Sequence, residues 1–154
     1  MRFLSKLKNE GKIKQVEASD EIKQAYLAKS KSSMGAAEIL IGTGHLEEAT
    51  SMIYYSMYYS TLALLFATGI KCENHTGCIL LLKDLFRKND LSQNLNSAKE
   101  ERVDKQYYTD YQVTKEEVDQ FLASAQDFIM EIRQIIKDLS TEKKHELIAL
   151  FNRL

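Results

Sequence analysis

An all-α fold, an antiparallel up-down helical bundle of four to five main helices with short terminal helices, follows from three features of this 154-residue chain. It has no proline and only six glycines, fewer turn residues than a β-rich fold consumes. Long stretches place apolar or small residues three or four positions apart, the helical repeat. Neither strand-like alternation of any length nor an internal repeat interrupts them. With a hydrophobic share of 44% and a charged share of 28%, the composition is that of a packed globular protein, and the length suits a single domain over residues 1–154.

The elements follow in order. "RFLSKLKNE" puts Phe3, Leu4 and Leu7 on one side of a short helix that Gly11 stops. "KIKQVEAS" carries Ile13 and Val16 and is expected to lie extended against the body. Ser19 offers an N-cap, with Asp20 and Glu21 in the first turn where the helix dipole favours negative charge. From there Ile22, Tyr26, Ser30, Ser33, Ala37 and Leu40 form one stripe of a long helix that ends at Gly42 and Gly44.

The next helix begins after His45 and runs to Thr68, with Gly69 as a left-handed cap. Ala49, Ile53, Ser56, Ser60, Ala63 and Ala67 make a stripe of mostly small residues, which lets a neighbour approach closely. Its other faces hold Met52, Met57, Leu62, Leu64, Leu65, Phe66 and four tyrosines, so it reads as the central helix. Thr76 to Arg87 is a shorter helix with Ile79, Leu82, Leu85 and Phe86 inward. "KNDLSQNLN", polar and rich in Asn and Ser, reads as a flexible loop before "SAKEERVDKQYY" resumes a helix. Thr114 with Glu117 forms a capping box opening a long helix whose core stripe runs from Val118 to Leu139. After Ser140, Leu147, Ile148, Phe151 and Leu154 share one face of a final short helix.

Charge and cysteine usage narrow the setting. A net charge of −1 excludes bulk electrostatic affinity for nucleic acid, while leaving room for a local basic patch. The first fifteen residues lack the apolar core of a signal peptide, and the longest apolar run, Leu62 to Ala67, falls far short of the ~20 residues of a membrane span. Two cysteines read as reduced thiols in a cytoplasmic protein without membrane contact.

Several groups carry candidate chemistry. Tyr54, Tyr55, Tyr58 and Tyr59 make two i,i+4 pairs on adjoining faces. Rings with a polar tip suit a helix lying between the core and a second subunit; the alternative is a ligand-stacking platform. His75, in "ENHTG", is either a turn histidine bonding nearby backbone or an anion contact beside exposed helix N–H groups. Arg102, Tyr107, Tyr108, Asp110 and Tyr111 are the densest polar-aromatic group outside the core pattern. No metal is expected: Cys72, His75 and Cys78 lack the second ligand pair of a structural zinc site, and Glu142 with His145 is a single Glu-x-x-His without a matching partner.

Taken together, three stretches resemble the HEPN family (higher eukaryotes and prokaryotes nucleotide-binding). "AAEILIGTGHLEEATSMIYYSMYYSTLALLFATGIKCENHTG" is similar to the family's two central helices and the histidine-bearing turn after them. "ERVDKQYYTDY" resembles its arginine-bearing region, and "NEGKIKQVEASDEI" the lead-in of prokaryotic members. The resemblance spans roughly residues 8 to 140. It implies a homodimer, an RNA or nucleotide ligand at a dimer groove, and a minimal nucleotidyltransferase as the partner in a toxin–antitoxin-like pair. No cofactor is implied.

Many members cut RNA with an Arg-x4-6-His motif. Arg102 stands here, but Tyr107 occupies the first position open to the histidine, and no histidine lies between Arg102 and His145. Tyrosine titrates near ~10 and is a poor base at neutral pH, whereas Arg102 retains the bidentate fork that clamps a phosphate. The resemblance thus makes Arg102 and Tyr107 the candidate catalytic pair, with Arg102, Tyr108, Asp110, Tyr111, His75 and Tyr55 as candidate ligand-binding residues. By analogy, Tyr107 and Tyr108 are also candidate acceptors of nucleotidyl transfer. The alternative function is a non-catalytic dimeric module that docks a partner protein.

Overall fold

Seven helices and one short antiparallel ribbon make up the described part of the computed structural model: residues 2–107 and 112–154, with side chains for 2–102 and 112–154. In chain order these are α1 (Arg2–Asn9), β1 (Ile13–Gln15), α2 (Asp20–Gly42), α3 (Leu46–Thr68), β2 (Ile70–Cys72), α4 (His75–Asp84), α5 (Asn89–Tyr107), α6 (Lys115–Asp138) and α7 (Thr141–Asn152). The fold is an all-α helical bundle.

Local chemistry sets the helix starts. The side chains of Ser19, Asn74, Thr114 and Ser140 each accept a hydrogen bond from the backbone N–H three residues on, satisfying a donor that the first helical turn leaves free. The end of α3 is set by Gly69. Its φ is +102°, and its N–H bonds the carbonyls of Leu65 and Phe66. A Cβ there would stand 3.0 Å from the Val16 carbonyl oxygen, so both backbone conformation and space demand glycine.

Helix α3 is the centre, in contact with α2, α5, α6 and β2. The small-residue stripe does what its spacing predicts: α2 lies close enough for buried Ser30 to donate from Oγ to the Ser56 carbonyl at 2.6 Å. The buried hydroxyls of α3 create no unpaired polar atoms. Ser56, Ser60, Thr61 and Thr68 each donate to a carbonyl three or four residues back.

Two readings change. Of the stretch 88–96, expected as a flexible loop, all but Lys88 forms the first half of α5. Leu91, Leu95 and Ala98 recur at helical spacing and are buried, and Ser92 Oγ donates to the Ile79 carbonyl at 2.8 Å. Burial of that stripe outweighs the weak helix propensity of Asn and Ser. The extended lead-in does lie against the body, but as a strand. β1 pairs antiparallel with β2, in register Ile13 to Cys72 and Gln15 to Ile70. Three residues are too few for period-two alternation to show in sequence.

Candidate functional site

The four tyrosines of α3 do not share one environment. Tyr54 is fully buried and Tyr58 nearly so, at 0% and 8% exposure, while Tyr55 and Tyr59 on the adjoining face are half-buried. Past β2, the Asn74 cap starts α4 at His75, and the Glu73 N–H bonds the Lys12 carbonyl at 2.8 Å, bracing the turn. The His75 ring is thereby laid flat on Tyr58, with centroids 4.0 Å apart and planes 5° from parallel. Its Nδ1 lies 2.5 Å from the Tyr54 hydroxyl.

The electrostatics fix the sense of that bond. Burial, then the nearby Arg102 and Lys99 cations, hold the His75 pKa below its ordinary value, so the ring is neutral at pH 7. Burial pushes the Tyr54 hydroxyl upward, and it keeps its proton. A protonated phenol therefore donates to Nδ1, which places the imidazole proton on Nε2. A neutral histidine held in one tautomer is an oriented N–H donor.

Helix α5 supplies the cations from residues one turn apart. The Arg102 guanidinium carbon lies 4.9 Å from the centroid of Tyr55 and 5.6 Å from that of Tyr54. Its Nε is buried, and among the described residues it has no hydrogen-bond partner. Lys99 Nζ donates to Thr76 Oγ1 at 3.0 Å, anchoring α5 on the first turn of α4. Arg102 and His75, far apart in sequence, thus meet the same tyrosine.

The rings continue outward. Tyr55 stacks with Tyr59 at 5.8 Å and Tyr59 with Tyr26 of α2 at 6.0 Å, and Lys29 Nζ sits 5.4 Å from the Tyr59 centroid. A ribbon of aromatic faces with a cation near each end runs from the half-buried histidine to the α2–α3 surface. It is a packed seam with a half-exposed rim. Surface grooves of about 420 and 450 Å³ lie elsewhere, between α2 and α6 and between α5 and α6. Among the described residues no three His, Cys, Asp or Glu side chains converge as a metal-ligand set.

The family model described as the HEPN domain matches residues 23–139. The chain belongs to the HEPN family. That span runs from α2 to the end of α6 and includes every helix contributing to the aromatic–cation seam, which is thus a feature of the HEPN domain of this chain. Over 125 residues the chain is 25% identical to a "UPF0332 protein" of Thermotoga maritima, covering 78% of this chain and 95% of that one. Over 118 residues it is 27% identical to a protein of Methanocaldococcus jannaschii named "Putative toxin MJ0142", covering 73% of this chain and 80% of that one.

Of the residues singled out from sequence in this HEPN chain, Arg102, His75 and Tyr55 come together around Tyr54. Of the two readings of His75 offered above, the backbone bond is not seen among the described residues, where Nδ1 meets the Tyr54 hydroxyl. Tyr107 ends α5, and its side chain lies outside the described residues, as do Tyr108, Asp110 and Tyr111 altogether. Sequence reasoning grouped Tyr54 and Tyr58 with the other tyrosines of α3 without joining them to His75 and Arg102, and it missed Lys99. Tyr54 and Tyr58 are four apart and Lys99 and Arg102 three apart, so the signal was present. What a sequence withholds is which faces meet.

Proposed function

We propose that this HEPN chain binds a phosphate-bearing nucleotide, free or within RNA, at the rim formed by Arg102, Lys99 and His75. The observation that carries this is the state of Arg102. Its guanidinium rests on two tyrosine faces. A guanidinium stacked on two rings, with its Nε buried and unpaired among the described residues, is suited to receive an anion, and its fork matches a phosphate. Neutral His75 adds an Nε2–H donor for a phosphate or sugar oxygen, and the half-buried faces of Tyr55 and Tyr59 suit an unpaired base.

The resemblance noted in the sequence adds a homodimer across this aromatic face and a minimal nucleotidyltransferase partner, and the name of the Methanocaldococcus relative supports a toxin-like role. Calorimetric titration with AMP and with a short unpaired RNA tests the reading. Arg102→Ala should weaken binding by tenfold or more, with Arg102→Lys recovering part of it. Binding that is absent in the wild type, or indifferent to Arg102→Ala, overturns it.

A docking role is the second reading. Strongly exposed Ile39 and Met130, at 69% and 65% exposure, lie on α2 and α6, whose facing sides line the 420 Å³ groove. Substituting both with Gln should abolish capture of a protein partner without altering nucleotide affinity, if docking is what that face does.

A further inference from the structure

Lys29 of α2 stands outside the rim formed by Arg102, Lys99 and His75, yet it repeats the geometry of Arg102. Its Nζ lies 5.4 Å from the Tyr59 centroid and 5.7 Å from that of Tyr26. Arg102 lies over Tyr54 and Tyr55. Each cation thus rests on a pair of tyrosine rings, and the two pairs share no ring. One stack joins them: Tyr55 on Tyr59, with centroids 5.8 Å apart and planes 27° from parallel.

The sequence builds this second seat locally. Tyr26 and Lys29 are three apart on α2, so their side chains leave the helix on one face. Next to Lys29, buried Ser30 donates to the Ser56 carbonyl at 2.6 Å, which fixes that turn of α2 on α3 one turn before Tyr59. Tyr26 is backed by buried Phe66, whose ring stacks on it at 5.5 Å and 15° from parallel. Tyr26 and Tyr59 are half-buried, and Lys29 is exposed. A lysine laid over ring faces keeps its full charge, and its ammonium carries three N–H donors for an incoming phosphate.

We propose that Lys29, seated on Tyr26 and Tyr59, is a second phosphate subsite, and that the ligand is an unpaired oligonucleotide whose backbone runs from Arg102 to Lys29. The Lys29 subsite rests on the Arg102 site proposed above, which takes one phosphate; Lys29 takes a later phosphate of the same strand. Between the two cations lie the half-buried rings of Tyr55 and Tyr59, on which a base can stack whatever its identity, because every base has a π-face. The order cation, ring, ring, cation matches the alternation of charge and flat surface along a single strand. A mononucleotide fills the Arg102 end and leaves Lys29 in water.

Calorimetric titration of the full chain with AMP, ADP and 5′-phosphorylated tetra-adenylate, in the wild type and in Lys29→Gln, tests the second subsite. Because Lys29 is exposed, the variant should melt with the wild type. The tetranucleotide should bind the wild type at least tenfold more tightly than AMP does. Lys29→Gln should remove most of that advantage while leaving the AMP and ADP affinities within about twofold. For the tetranucleotide, the slope of log affinity against log salt should also fall by about 0.7, the share of one single-strand phosphate contact. A tetranucleotide no tighter than AMP, an advantage that survives Lys29→Gln, or an equal loss for AMP and the tetranucleotide would each overturn the second subsite. If AMP binding in those cases still depends on Arg102, the first site stands alone; if the wild type binds none of the three ligands, both sites fall.

Discussion

The Tyr54 hydroxyl and His75 Nδ1, 2.5 Å apart, join the middle of the central helix to the first residue of the helix after the ribbon. The bond lies over a phenol that keeps its proton and an imidazole kept neutral, so it selects one imidazole tautomer. Tyr54→Phe removes the donor and leaves the ring's shape. The protein should lose about 1 kcal/mol in urea denaturation, and nitrogen-15 NMR should show His75 as a mixture of tautomers. A single Nε2–H tautomer in the variant would show that something else orients the ring.

Stability should depend on pH through His75. Its folded pKa lies below the unfolded value near 6.5, because burial and the Arg102 and Lys99 cations disfavour the imidazolium. The unfolded chain therefore binds more protons over the interval between the two values, and stability rises with pH there. The contribution is complete above the unfolded value, is lost as pH falls through it, and levels off below the folded one. Melting curves from pH 7.5 to 5 should show the wild type losing stability more steeply than His75→Gln; parallel curves would remove histidine from the account.

Gly69→Ala forces a side chain onto a left-handed backbone, at about 1–2 kcal/mol. It also brings a Cβ to 3.0 Å from the Val16 carbonyl oxygen, an acceptor of rigid backbone. The expected loss exceeds the backbone term alone. A variant that melts with the wild type would mean that the α3–β2 corner relaxes freely.

Close approach of α2 to α3 depends on small side chains. Ser56→Leu adds bulk at a fully buried position whose carbonyl accepts from Ser30. Overpacking should cost about 1–3 kcal/mol, whereas Ser56→Ala should cost less. If Leu is the milder of the two by chemical denaturation, the helices are not in tight contact there.

Hydrogen exchange separates the two accounts of residues 88–96. Amides from Leu91 to Ala98 should be protected together with the α5–α4 contact, because Leu91, Leu95 and Ala98 are buried. Exchange at unfolded rates would restore the loop.

Particular residues explain what could be read in advance. Ser19, Thr114, Ser140 and Gly69 each impose a local hydrogen bond or dihedral, so helix ends were legible. The small stripe of α3 was legible because its spacing and side-chain size bear directly on helix approach. The loop reading failed because composition was weighed above the Leu91–Leu95–Ala98 repeat. Arg102, His75 and Tyr55 could be nominated one at a time. Their meeting at Tyr54 could not, because it depends on the rotation of α5 and the angle of α4, which no short-range pattern encodes.

The strand Ile13–Gln15 precedes the stretch matched by the HEPN model, yet it is hydrogen-bonded to Ile70–Cys72 and, through Lys12, to the turn ahead of His75. That strand works as a splint. A fragment trimmed to the matched boundaries would keep all the helices that supply the seam while leaving the histidine on an unbraced hinge. Domain borders drawn from likeness would then cut through the scaffold of the chemistry, and a truncated sample that failed to bind would say nothing about the intact chain.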